Sequence, residues 1–173
     1  MKRILHFMTL VSLPAPAPAP VFADNKYSIK QNDPNMTLGS DQTAGAGDGS
    51  TEYKVATYVN PSDVVLVFTP ASEFQLYATD NETTPAELNS YVAWRIVHKD
   101  STGQGVLERA SGLYVNSKFT ADSLSRKKLD AKFKVKPLEQ LVLYVTPISA
   151  YSVKPSTCKF ELTCRRIAPQ LQA

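Results

Sequence analysis

The chain has 173 residues, with 19 Lys and Arg against 16 Asp and Glu, a formal net charge of +3, two cysteines and two histidines. That length fits one domain with a substantial core. The near balance of charge excludes a polyanion partner chosen by global charge alone, and two cysteines exclude a disulfide-dense scaffold.

Residues 1–23 read as a secretory signal peptide. Lys2 and Arg3 form a positive start, Ile4 to Leu13 an apolar stretch, and Val21-Phe22-Ala23 a cleavage signature that places the cut before Asp24. Ten such positions are too few for a membrane span, which needs about 20. The mature chain is therefore expected outside the cytoplasm, in the periplasm, at the cell surface or secreted. With the leader gone, 17 basic residues face 16 acidic ones. Residues 24–117 hold 6 Lys/Arg against 12 Asp/Glu, and residues 118–173 hold 11 against 4. The two halves could attract each other within the fold or between copies, or interleave so that the field averages out.

Residues 24–38 are polar with scattered apolar side chains, and Asp33-Pro34 interrupts them because Pro cannot donate to a ladder. Residues 39–50 are small and Gly-rich and read as a linker or exposed loop. From 51 to 173 one domain of short strands is expected. Glu52 to Val59 is the first of them. Val64 to Phe68 and Leu141 to Val145 are continuous apolar runs and read as strands covered on both faces. Phe74 to Thr79 follows the Thr69-Pro70 break. In Tyr91 to Lys99, Val92, Trp94, Ile96 and His98 share one face. Gly105 to Ala110 and Leu113 to Ser117 read as two strands parted by a Ser111-Gly112 turn. Lys128 to Lys136 alternates Leu129, Ala131, Phe133 and Val135 with polar residues, and Thr157 to Arg165 alternates in the same way. Thr84 to Asn89 and Ala121 to Lys128 are the two short helix candidates. The sum is an all-β, antiparallel, immunoglobulin-like β-sandwich of seven to nine short strands with at most one or two helical turns.

Little in the chain marks chemistry. His98 is the mature chain's one histidine, and no nucleophile is signalled beside it, so it reads as a hydrogen-bonded strand histidine. Zinc and calcium spacings, a P-loop and a G-x-S-x-G are missing, so no catalytic residue, metal ligand or cofactor is assigned. Cys158 and Cys164 suit a disulfide by compartment, but six residues of extended strand part their α-carbons by about 20 Å, against a limit of roughly 7 Å for a disulfide. A tight hairpin, a straight strand with two unpaired thiols, and a bond to another chain all remain open, and the poor turn sequence between them favours the straight strand. Arg126, Lys127 and Lys128, followed by Lys132, Lys134 and Lys136, form a basic ladder. Lysines of this kind guard sheet edges against aggregation, or they bind an acidic glycan or a lipid head group; thin aromatic interleaving argues against nucleic acid.

Val64 to Thr79, with its Thr-Pro break, and Tyr144 to Arg165, with Val153-Lys154-Pro155 before a last alternating strand, resemble the pilin subunits of chaperone–usher fimbriae. The resemblance implies a non-enzymatic structural or adhesion subunit that assembles by β-strand addition, with a periplasmic chaperone and other copies as partners. The donor residues would be Tyr27, Ile29, Met36 and Leu38. A secreted binding module for a glycan, lipid or host protein is the alternative. As a further alternative, residues 24–38 are a disordered tail or simply the first strand of the same domain.

Overall fold

The computed structural model describes residues 26–40, 50–77, 90–105, 107–116, 125–129, 131–147 and 159–167. The leader, the central part of the Gly-rich stretch, the helix candidate at 84–89 and Cys158 lie outside the described residues. Everything described is strand or connection.

Eleven strand segments form two antiparallel sheets. Sheet A contains β1 (Lys26–Lys30), β4 (Val65–Phe68), β5 (Glu73–Tyr77), β8 (Ser125–Lys128), β9 (Phe133–Val135) and β11 (Lys159–Ile167). Sheet B contains β2 (Met36–Leu38), β3 (Tyr53–Val59), β6 (Ser90–Lys99), β7 (Leu107–Asn116) and β10 (Gln140–Pro147), in the order β2-β3-β10-β6-β7. In sheet A, β4 and β5 lie end to end along one side of β11, and β1 lies along the other. Segments β8 and β9 continue one another in the same way beside β5 and β4. The physical order is therefore β1, β11, β4/β5, β8/β9, and the eleven segments amount to nine strands.

Among the nine strands the chain crosses to the opposite sheet at every connection except β2–β3 and the β6–β7 hairpin. This order of a double Greek key is the jelly-roll arrangement of a β-sandwich. Its core lies between the sheets, where alternate residues of both inner faces meet: Leu66, Phe68, Phe74 and Leu76 from sheet A, and Val55, Trp94, Ile96 and Val145 from sheet B. Phe68 stacks on Phe133 with ring centres 4.5 Å apart, and Phe74 tilts onto Trp94 at 4.4 Å.

Several expectations change in detail. Residues Ser125–Lys128 form strand β8, not the end of a helix, because they pair with Glu73 to Leu76. The expected strand Lys128 to Lys136 is broken between β8 and β9. The expected turn at Ser111-Gly112 is the middle of β7, with Gly112 opposite Trp94. A β-carbon at Gly112 would stand 2.7 Å from the Trp94 ring, so the indole occupies the space of the missing side chain. Strand β4 is not covered on both faces, since Val65 and Val67 remain half-buried on the outside of sheet A.

Residues 24–38 contribute β1 and β2, which join opposite sheets of the same sandwich. Tyr27 and Ile29 point inward opposite Cys164 and Leu162. Met36 and Leu38 pair with Tyr58 and Ala56 and pack against the core. The turn between them is held by Asp33, whose Oδ1 accepts the backbone and side-chain N–H of Asn35 at 2.9 and 3.1 Å. Asp33 Oδ2 accepts the Tyr27 hydroxyl, which is also hydrogen-bonded to Tyr58. The arm thus closes a small apolar cavity of about 30 Å³ lined by Ile29, Met36, Phe74 and Leu162. Ile29 is 2% exposed. Ile29→Ala should cost about 2–4 kcal/mol, read as a lower urea midpoint; a change below about 0.5 kcal/mol would mean that the arm does not dock in solution.

Candidate functional site

Three places on the described surface concentrate polar chemistry. The first is the inner end of β6. His98 faces inward with Trp94 and Ile96, as expected. Its Nε2 lies 2.8 Å from Glu139 Oε2, and its Nδ1 accepts from Arg109 Nη2 at 2.9 Å. Arginine only donates, so Nδ1 is the acceptor and the N–H on Nε2 faces the carboxylate. The ring is thus held between a carboxylate and a guanidinium. The Arg109 guanidinium stacks on Phe133 at 4.7 Å, and its pKa is lowered by burial, opposed by the charge of Glu139. Buried Asn60 fixes the neighbouring turn by donating to Val64 O and Lys136 O at 2.8 and 2.9 Å. This cluster ties β6, β7 and the 136–139 turn together. Among the described residues no group of His, Cys, Asp and Glu could hold a metal ion, and no helix is long and apolar enough to cross a membrane.

The second place is the outside of sheet B, where Arg95 bonds Glu52 through two nitrogens, Nη2 at 2.6 Å from Oε2. Glu108 stands 3.9 Å from the same guanidinium, which lies 5.2 Å from the centre of the Tyr144 ring. Positive and negative groups cancel there.

The third place is the outside of sheet A, where they do not cancel. The two-residue period sends Leu129, Phe133 and Val135 inward and leaves Lys128, Lys132, Lys134 and Lys136 exposed. Strand β11 adds exposed Lys159 and Arg165, and β1 adds Lys26 and Lys30. Only Glu73 and Glu161 oppose these eight cations among the described side chains of that face. Glu161 lies 3.9 Å from Lys30, and Glu73 is in register with Lys128. Glu161 lies in the half of the face nearer Lys159, and Glu73 lies level with Thr163 at the middle of β11. In the other half, Lys26, Arg165, Val67 and Lys134 form one lateral row across all four strands.

The predicted ladder is thus mostly assembled, with one exception. Lys127 is paired with inward-facing Phe74 and reaches across to sheet B, where its ammonium bonds Ser111 O and lies 5.6 Å from the centre of the Trp94 ring. It is a clasp between the sheets, not part of the outer patch. Arg126 is placed by backbone register alone, opposite Gln75. Lys26, Lys30, Lys159 and Arg165 were not singled out from the sequence, since only pairing brings the first and last strands beside the ladder. The signal that could have found them is the alternation of both strands together with the basic excess after residue 117.

Strand β11 runs unbroken through Cys164, which is buried and unpaired. Burial pushes its thiol up to about 12 from 9.0. Tyr58 and Tyr27 are also raised from 10.0, first by burial.

No family model matches the chain, and no curated protein matches it. A solved structure of the Clostridium thermocellum N-terminal endo-1,4-β-D-xylanase 10B, containing its CBM22-1 and GH10 modules complexed with xylohexaose, aligns with 86% of this chain at 14% identity and a TM-score of 0.28. The aligned part is 26% of that structure's chain, so this chain spans about a quarter of it.

The three raised acids give stability a pH dependence with a definite sign. The folded chain holds the Cys164 proton to about 12, whereas an unfolded cysteine releases it near 9.0. The contribution is complete below pH 9 and is lost as pH rises toward 12, with the tyrosines adding in the same direction. The urea midpoint should be lower at pH 10.5 than at pH 8, and Cys164→Ala should flatten that difference. Iodoacetamide should alkylate Cys164 only after unfolding, as read by peptide mass.

Proposed function

We propose that this chain is an exported, non-enzymatic binding module that lays the outer face of sheet A against an acidic glycan. The observation that carries the reading is the imbalance on that face, eight exposed cations against two carboxylates, in a mature chain of nearly balanced charge. Clustered cations on a flat sheet raise the local concentration of an extended anion and bind it by releasing its counterions. The same face argues against the other polyanions. Among the described residues the strongly exposed large apolar side chains, Tyr53, Val59, Leu107, Leu113 and Leu138, all lie elsewhere, so none of them gives this face an apolar wedge for a bilayer. The thin aromatic interleaving of the basic run in the sequence argues against nucleic acid.

The second reading keeps β-strand addition, with self-association or a chaperone as the partner. It is favoured by the way β1 adds to one side of β11 and seats Ile29. Tyr27, Ile29, Met36 and Leu38 would do in a neighbouring copy what they do here within one chain.

Two measurements separate these readings. The mature chain should bind polygalacturonate and not neutral dextran, with affinity falling steeply as salt rises. Lys132→Glu with Lys134→Glu should weaken binding at least tenfold at about 50 mM salt. Equal binding to dextran, or binding to anionic vesicles alone, overturns the glycan reading. The intact mature chain should run as a monomer on size exclusion on the module reading; heat-resistant multimers on an unheated gel would instead select strand addition.

A further inference from the structure

Sheet A contains a hollow where its third strand breaks. Segments β4 and β5 are parted by Thr69-Pro70-Ala71-Ser72, and β11 passes the break without interruption. The result is an open hollow of about 240 Å³ on the basic face, lined by Lys26 and Arg165 and by the hydroxyl-bearing residues Thr69, Ser72 and Thr163.

The hydroxyls are already polarised in one direction. Ser72 Oγ accepts the Thr69 N–H at 3.0 Å, and Thr69 Oγ1 accepts the Ala71 N–H at 3.2 Å. Each oxygen therefore keeps its own O–H as a donor. Thr163 Oγ1 accepts the Glu73 N–H at 2.8 Å and lies 3.4 Å from Glu73 O, which fixes the wall of the hollow. Lys26 brings three further N–H donors and pairs with no carboxylate among the described residues, and Arg165, in register with it, adds a second positive charge to the rim. The hydroxyls of Ser72 and Thr163 are sunk below the sheet surface and the two cations stand exposed at the rim, so the ring is donor-rich and cationic.

We propose that this hollow is an oxyanion subsite, which takes one carboxylate or sulfate group of the acidic ligand and fixes the ligand's register on the face. The proposal rests on the reading of sheet A as the ligand surface, but it makes a demand that the lysine ladder alone does not. A ladder loses affinity in equal steps for each charge removed, whereas a subsite also loses affinity when a neutral donor is removed.

The test compares Lys26→Gln, Ser72→Ala and Thr69→Val with Lys159→Gln, a cation on the same face but away from the hollow. Binding to polygalacturonate and to dextran sulfate reports carboxylate and sulfate separately, and free inorganic sulfate is titrated by thermal shift at constant ionic strength. The hollow predicts about a tenfold loss of polymer affinity for Lys26→Gln, against threefold or less for Lys159→Gln. For Thr69→Val or Ser72→Ala it predicts a loss of about fivefold with the salt slope unchanged. It also predicts saturable stabilisation by sulfate that Lys26→Gln abolishes. Since Ser72→Ala removes an acceptor for a backbone N–H, its urea midpoint is measured first, and exposed Lys26→Gln carries the test if Ser72→Ala unfolds. Polymer binding that treats Lys26 and Lys159 alike overturns the subsite and leaves the ladder standing. Sulfate stabilisation that depends on Lys26, in a chain that binds neither polymer, upholds the subsite and overturns the glycan reading.

Discussion

The distinctive features of sheet A follow from one mismatch of length. Between Leu162, opposite Phe74, and Arg165, opposite Val67, strand β11 advances three residues. Its neighbour needs seven for the same distance, so four residues must leave the plane of the sheet. The excursion costs ladder hydrogen bonds, and a buried backbone group left unpaired is expensive. Thr163 makes up part of that loss by bonding the N–H of Glu73 through its side chain, and Ser72 and Thr69 satisfy the N–H groups of the turn itself. The next strand follows the same path, with the Leu129 N–H on Ser72 O before β9 resumes at Phe133. The break is thus shared by two adjacent strands and stabilised by hydroxyls, which is also why its floor is polar.

Edge protection accounts for some of the cations on this face but not for all. The outer strands of sheet A are β1 and β8/β9, and lysines there discourage pairing with a second sheet. That explanation covers Lys26, Lys30 and the run from Lys128 to Lys136. It does not reach Lys159 and Arg165, because β11 is an interior strand with partners on both sides. Cations concentrated on an interior strand repel those on its neighbours, a cost that Glu161 and Glu73 relieve in part. Val65 and Val67, half-buried on the same face, carry no charge of their own. The charge asymmetry of the sequence therefore survives folding: β8, β9 and β11 all join one sheet, so the basic C-terminal part does not average against the acidic N-terminal part.

The sheets were legible in the sequence wherever one face is apolar and the other wet. Strands β3, β6, β10 and β11 fall close to their expected spans, and the inward turn of His98 follows from its parity with Trp94. Ser111-Gly112 misled because glycine is a turn residue by composition, while here it is needed for the close approach of an indole from the paired strand. That requirement is tertiary and leaves no local trace. Lys128 to Lys136 misled in the opposite sense, since perfect alternation concealed a break imposed by the neighbouring strand. The hollow was illegible for the same reason. Its groups come from three stretches far apart in the chain, residue 26, residues 69–72 and residues 163–165, and only the pairing of β1 with β11 brings the first to the last. The ladder could be read as a line of charge, but not that Lys127 would leave it to clasp the opposite sheet.

Placing Lys26 on the arm has a consequence for how the molecule behaves. A strand tethered to its own domain acts at an effective concentration in the millimolar range, so the arm closes its own sandwich before a neighbour's arm can compete at ordinary concentrations. Closure seats Tyr27 and Ile29 in the core and in the same step delivers Lys26 to the rim of the hollow. A ligand that binds the hollow then binds the docked arm and not the undocked one, and by linkage it must favour docking by as much as docking favours it. On the proposed reading the arm is both a strand of the core and part of the ligand surface. Exchange of arms between copies would conserve both roles, because the arriving arm carries the same lysine to the same place.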